Sequence, residues 1–226
     1  GGSHMRLNVV DEHIWEVSDP LQILGVEFGH RMTVVKLSSG DLWVHSPIAL
    51  NEAVQKELGS LGTPQYFVAP SAFHDMYWKP YFEKFDNVEF HGVSGMPAGL
   101  TFTHTFSETI PNAWAKDFDM IAIEGIPMLN EHVFVHKKTK TLILADLVFN
   151  FDTRQKLWER MFLSMNGVHG KIGPSRMFRA CIKDKKAFRG SLDRLLACDF
   201  DRVIVGHGHN IETGGKRALE HAYSFL

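Results

Sequence analysis

The chain has 226 residues, enough for one large domain with a substantial core; 44% of them are hydrophobic and 22% charged, ordinary values for a globular fold. A formal net charge of −2 gives no nucleic-acid footprint, and no run reaches the roughly 18 apolar residues of a membrane helix, so neither partner class is expected. Residues 1–4, GGSH, read as the remnant of a cleaved purification tag, which leaves residues 5–226 as a single domain and His4 out of any ligand set. No signal peptide follows Met5, so a cytoplasmic location is expected.

In chain order, residues 14–17 and 25–37 read as strands joined by a turn at Asp19-Pro20, and 42–45 as a third, giving an antiparallel meander. The pattern then changes. Asn51 can cap a helix over 52–61 that carries Ala53, Val54, Leu58 and Leu61 on one face and stops at Gly62. A buried-type strand over 66–69 runs into His74-Asp75. Residues 76–85 carry Tyr77, Trp78, Tyr81 and Phe82 at helical spacing, and core is the commoner fate of such aromatics. Residues 88–91, 100–106 and 118–123 return to strand. Residues 132–137 and 142–149 pair as a hairpin across 138–140. Helices follow over 153–165, 183–198 and 214–226, with a last core strand at 203–205.

Cys181 and Cys198 are far apart and belong to no CxxC, which favours two reduced thiols. No GxxxxGK[ST] or GxGxxG occurs, and Ser46, Ser71 and Ser94 lie in no GxSxG elbow. The sharpest signal is three apolar runs that each end in metal-ligand residue types. QYFVAPSAFHD ends in His74 and Asp75, LILAD in Asp146, and RVIVGHGH in His207 and His209. A carboxylate where a buried strand ends is costly unless it meets a cation or hydrogen-bond donors. A metal hydrolase needs such ligands on rigid elements, with one coordination position left for water. His74, Asp146 and His207 fit as ligands; Asp75 and His209 fit as groups acting on the water or the substrate. The bland alternatives are a structural histidine, a helix-capping Asp146, and for His45, which also ends a strand, a buried imidazole bonded to backbone.

TLILADLVFNF after EHVFVHKK, together with VIVGHGHNI, resembles the metallo-β-lactamase-like fold. LWVHSPIAL and YFVAPSAFHD look more specifically like an uncharacterised branch of that superfamily, a domain family of unknown function. The resemblance implies an α/β four-layer αββα sandwich of two mixed sheets with helices outside, and a site at one edge of the sheets. It also implies that Asp146 corresponds to the metal-bridging carboxylate, that His207 is the late histidine, and that His74 and Asp75 fall within the HxHxDH region. The sequence there is SAFHDM, so the full motif is absent; the middle histidine falls within GIPMLN, with Ile126 as its counterpart. The resemblance therefore implies a metal-dependent hydrolase with a reduced, mononuclear site. Its ion would be Zn, alternatively Fe or Mn, and its substrate a small ester, lactone or phosphodiester. The alternative is a non-catalytic binding or regulatory module that has lost its metal.

Overall fold

The computed structural model describes residues 6–19, 22–23, 26–27, 30–147, 180–206 and 210–224. The N-terminal meander forms as its β-branched, alternating runs suggest. It comprises β1 (Asn8–Asp11), β2 (Ile14–Asp19), β5 (His30–Lys36) and β6 (Asp41–His45), antiparallel in spatial order β1-β2-β5-β6. Within the expected strand over 25–37, β4 (Val26–Glu27) pairs with β3 (Gln22–Ile23) in a two-stranded ribbon of its own, and β5 belongs to the larger sheet. β7 (Thr63–Ala69), β8 (Glu89–Gly92) and β9 (His104–Thr105) then add in parallel to complete a seven-stranded sheet. The second sheet is β10 (Phe118–Ala122), β11 (His132–His136), β12 (Thr141–Ile143) and β13 (Arg202–Ile204). The β11–β12 hairpin is antiparallel and β12–β13 parallel.

Local chemistry sets the helix ends. α1 (Glu52–Leu61) starts where the Asn51 carboxamide accepts the Val54 N–H at 2.9 Å and ends where the Gly62 N–H reaches the Leu58 carbonyl. α2 (Trp78–Lys84) begins two residues later than the aromatic spacing suggests. Tyr77 sits in the left-handed region at φ 71°, and Pro80 falls within the first turn, where its missing N–H costs nothing. α3 (Lys185–Leu196) is capped by Asp184, which accepts from the Ala187 N–H at 3.0 Å, and α4 (Gly215–Ala222) closes the described chain.

Side-chain alternation along the strands builds three hydrophobic layers between four structural ones. Between the sheets, Trp43 from the first lies 4.5 Å from Phe118 and 5.0 Å from Phe134 of the second, centroid to centroid, with Ile143 and Ile204 beside them. On the outer face of the first sheet, Val34, Leu42, Val44 and Phe67 pack under Val54 and Leu58 of α1 and Trp78 and Tyr81 of α2. On the outer face of the second, Val133, Val135, Leu142 and Val203 pack under Phe188, Leu192, Leu195 and Leu219 of α3 and α4. The aromatics of α2 are core, as their spacing suggests: the Tyr81 hydroxyl donates to the Ile48 carbonyl at 2.7 Å and the Trp78 indole to the His74 carbonyl at 2.8 Å. Among the described residues, no helix is long and apolar enough to cross a membrane.

Candidate functional site

The parallel strands β6 and β7 and the parallel pair β12 and β13 finish at one edge of the sandwich, and there the two sheets meet. The Ala72 N–H donates to the Leu129 carbonyl at 2.8 Å and the His132 N–H to the Pro70 carbonyl at 2.9 Å. This edge collects the polar residues. His74 and Asp146, both under 5% exposed although separated by 72 positions, bring Nε2 to 3.2 Å from Oδ2. The Ser71 hydroxyl donates to the same Oδ2, and Ser46 Oγ lies 2.8 Å from His74 Nδ1. His30 packs its ring 5.3 Å from that of His74, and its Nε2 is 3.0 Å from the Ser46 carbonyl and 3.2 Å from that of Pro47.

Asp146 is held from behind as well. Glu131, fully buried, accepts the Asp146 N–H at 2.5 Å and the Leu147 N–H at 3.1 Å. Burial, then the nearby Asp146 charge, pushes the Glu131 carboxyl well above the usual carboxylate range. Pairing fades beyond Ile143 although the apolar run continues: the Leu144 N–H still reaches the Ile204 carbonyl of β13 at 3.0 Å, and the Asp146 and Leu147 amides then turn to the Glu131 side chain. Gly206 allows the close approach of β13, since a Cβ there would stand 2.7 Å from the Ala145 carbonyl oxygen.

Of the residues singled out in the sequence, His74 and Asp146 are brought together. Asp75 is exposed on the same turn, its carboxyl raised by partial burial although a backbone hydrogen bond and the neighbouring His74 oppose this. His207 and His209 lie outside the described residues. Ile126, the counterpart of the missing middle histidine, is buried with Val133 and Phe188 in the outer core. His45 is buried, but it stacks on Trp43 at 5.4 Å and its Nε2 has no hydrogen-bond partner among the described residues; burial holds it neutral. Both cysteines are free thiols, pushed up by burial. Sequence reasoning missed Ser46, Ser71, His30 and Glu131, whose roles depend on long-range closure.

The donor types suit part of a metal centre. Two ligands at about 2.0–2.2 Å from a tetrahedral ion stand about 3.3 Å apart, close to the separation of His74 Nε2 and Asp146 Oδ2. Among the described residues the pair has no third ligand within the same reach; the one three-ligand group lies elsewhere. It is Glu89, His91 and His104, on β8 and β9, whose ligand atoms lie within 4.8 Å of one another.

A family model described as "Domain of unknown function (DUF4336)" matches residues 11–158. No curated protein matches the sequence. Solved structures match over nearly their whole length. The DIM-1 metallo-β-lactamase is 12% identical with a TM-score of 0.67, over 98% of this chain and 96% of that one. The metallo-β-lactamase from Erythrobacter litoralis is 9% identical with a TM-score of 0.68, over 97% and 96%. FIM-1 from Pseudomonas aeruginosa, described in a mono-zinc form, is 8% identical with a TM-score of 0.59, over 96% of each chain.

Proposed function

Because the chain belongs to the DUF4336 family and has the metallo-β-lactamase fold, we propose that it is a metal-dependent hydrolase with a single-ion site at the strand ends. The observation that carries this reading is the 3.2 Å approach of His74 Nε2 to Asp146 Oδ2, which joins the two sheets at ligand-to-ligand spacing. His74 and Asp146 would hold the ion together with His207, and Zn²⁺ suits two imidazoles and a carboxylate, with Fe²⁺ or Mn²⁺ as alternatives. Bound there, the ion would polarise the substrate and bring the pKa of a bound water towards about 7.

The surrounding residues orient these donors. A proton on His74 Nδ1, donated to Ser46 Oγ, leaves the Nε2 lone pair facing Asp146. The Ser71 hydroxyl fixes the Asp146 carboxylate and Glu131 fixes its backbone. Asp75, exposed beside the pair, and His209 are the groups suited to pass protons to water or to the leaving group. The substrate class is a small ester, lactone or phosphodiester.

The test is turnover of such substrates by Zn²⁺-, Mn²⁺- and Fe²⁺-loaded protein beside chelated protein and Asp146→Ala. Turnover that needs metal and disappears in Asp146→Ala is expected; equal rates with and without metal would refute the reading. One observation favours a second reading, a binding module without metal: the Ser71 hydroxyl already hydrogen-bonds the Asp146 carboxylate, so the buried charge has a protein donor. In that case no metal-loaded form turns over any of the three substrate classes.

A further inference from the structure

The second histidine cluster goes beyond this reading. In-register pairing places His45, Val68, His91 and His104 in one row across β6, β7, β8 and β9. Strands lie about 4.8 Å apart, so His91 is about 10 Å from His45, and His104 about 14 Å. Glu89 precedes His91 by two positions and therefore shares its face. Its Oε1 is 3.3 Å from His91 Nε2 and 3.2 Å from His104 Nε2. We infer that Glu89, His91 and His104 form a transition-metal site of the Zn²⁺ class, separate from the strand-end pocket, that clips edge strand β9 to β8.

Donor accounting around Thr103 supports the inference. A threonine hydroxyl has one proton and two lone pairs. The Phe90 N–H donates to Thr103 Oγ1 at 2.8 Å, and the hydroxyl proton reaches the Phe90 carbonyl at 3.1 Å. With the hydroxyl proton on that carbonyl, the lone pair that remains would take Nδ1–H of His104, 2.9 Å away. In a neutral ring this leaves His104 Nε2 as a lone pair facing the Glu89 carboxylate, two acceptors in contact, which either a proton on the ring or a metal ion between them relieves. Thr103 thus stands where a metal-bound histidine usually has its second hydrogen-bond partner.

The burial of the three ligands is graded. His91 is buried, with its ring 4.6 Å from Trp114 and 5.6 Å from Phe106, so it is a fixed anchor. The His104 and Glu89 side chains are 48% and 35% exposed and can close on an ion, leaving a fourth position open to water. Two imidazoles with one carboxylate favour Zn²⁺, Co²⁺ or Ni²⁺ over Mg²⁺ or Ca²⁺. β9 has only two residues in the ladder, so a metal bridge would supply pairing that its length does not.

The test is calorimetric titration of chelator-stripped full-length protein with Zn²⁺, for wild type, Asp146→Ala, His104→Ala, Glu89→Gln and Thr103→Val, with circular dichroism to check folding. Wild type and Asp146→Ala are expected to share one ion-binding event whatever happens at the strand ends. That event should weaken by at least about 100-fold in His104→Ala and Glu89→Gln, and by about 10–100-fold in Thr103→Val. A Zn²⁺ isotherm of Asp146→Ala that is unchanged by adding His104→Ala, or no Zn²⁺ bound by Asp146→Ala at all, would overturn the assignment. Loss of binding on Asp146→Ala confined to a second event concerns the hydrolase reading alone.

Discussion

Replacing Glu131 with Ala tests how the Asp146 loop is held. The substitution removes the acceptor of two backbone N–H groups, those of Asp146 and Leu147, where the chain is fully buried. Each buried donor left without a partner costs about 1–3 kcal/mol, so a loss of about 2–6 kcal/mol follows before any cavity is counted. In a chain of this size each kcal/mol is worth about 2–4 °C, so the melting temperature should fall by at least about 4 °C. Glu131→Gln keeps one carbonyl oxygen in the same place. Because burial favours the uncharged acid at this position, the amide should cost much less, under about 1.5 kcal/mol. Urea denaturation of the three proteins at pH 7 reads the difference. The reasoning fails if Glu131→Ala unfolds at the wild-type midpoint, or if Gln proves as damaging as Ala.

Three other outcomes are expected. Gly206→Ala sets a Cβ 2.7 Å from a backbone oxygen and 2.9 Å from the Cα of Ala145, and should lose about 1–3 kcal/mol in the same assay; a neutral result would contradict the close approach. Trp43→Ala empties the centre of the aromatic layer between the sheets and should cost about 3–5 kcal/mol by thermal or urea unfolding, whereas a cost under about 1 kcal/mol would place that layer elsewhere. His132 is stacked on Phe106 and lowered by burial from 6.5 to about 4. Its unfolded form therefore binds more protons between those pH values, so its contribution is full above pH 6.5 and is lost as pH falls to about 4. The shift of about 2.5 pH units sets a ceiling of about 3.4 kcal/mol, and His132→Asn should flatten the fall in stability between pH 7.5 and 5 relative to wild type; parallel curves would refute this.

Much of the architecture is legible in local chemistry. The Asn51 cap and Gly62 stop of α1 form where the pattern suggests, and the β11–β12 hairpin closes across the expected turn although β12 ends at Ile143, short of the apolar run. The ending of apolar runs in His74 and Asp146 also carried enough information to pair two residues from the loops after strands of different sheets. The failures have long-range causes. The alternating run over 100–106 yields only two ladder residues, because the Thr103 hydroxyl takes the Phe90 amide and carbonyl that a continuing strand would have used. Glu131 looks like a strand-start acid until the chain fifteen residues later folds onto it. Ser46 and Ser71, which lie in no catalytic motif, prove to be the hydroxyls that orient the central pair. His91 and His104 become neighbours only through parallel pairing of β8 and β9, although the Glu89-x-His91 spacing already placed two ligand types on one strand face.

The central claim is that His74 and Asp146 share an ion. A zinc-edge anomalous difference map from crystals of the full chain grown with Zn²⁺ measures this most directly. A peak about 2 Å from both His74 Nε2 and Asp146 Oδ2 is expected. Zinc bound only at Glu89, His91 and His104, with His74 and Asp146 in direct hydrogen-bonded contact, would contradict it.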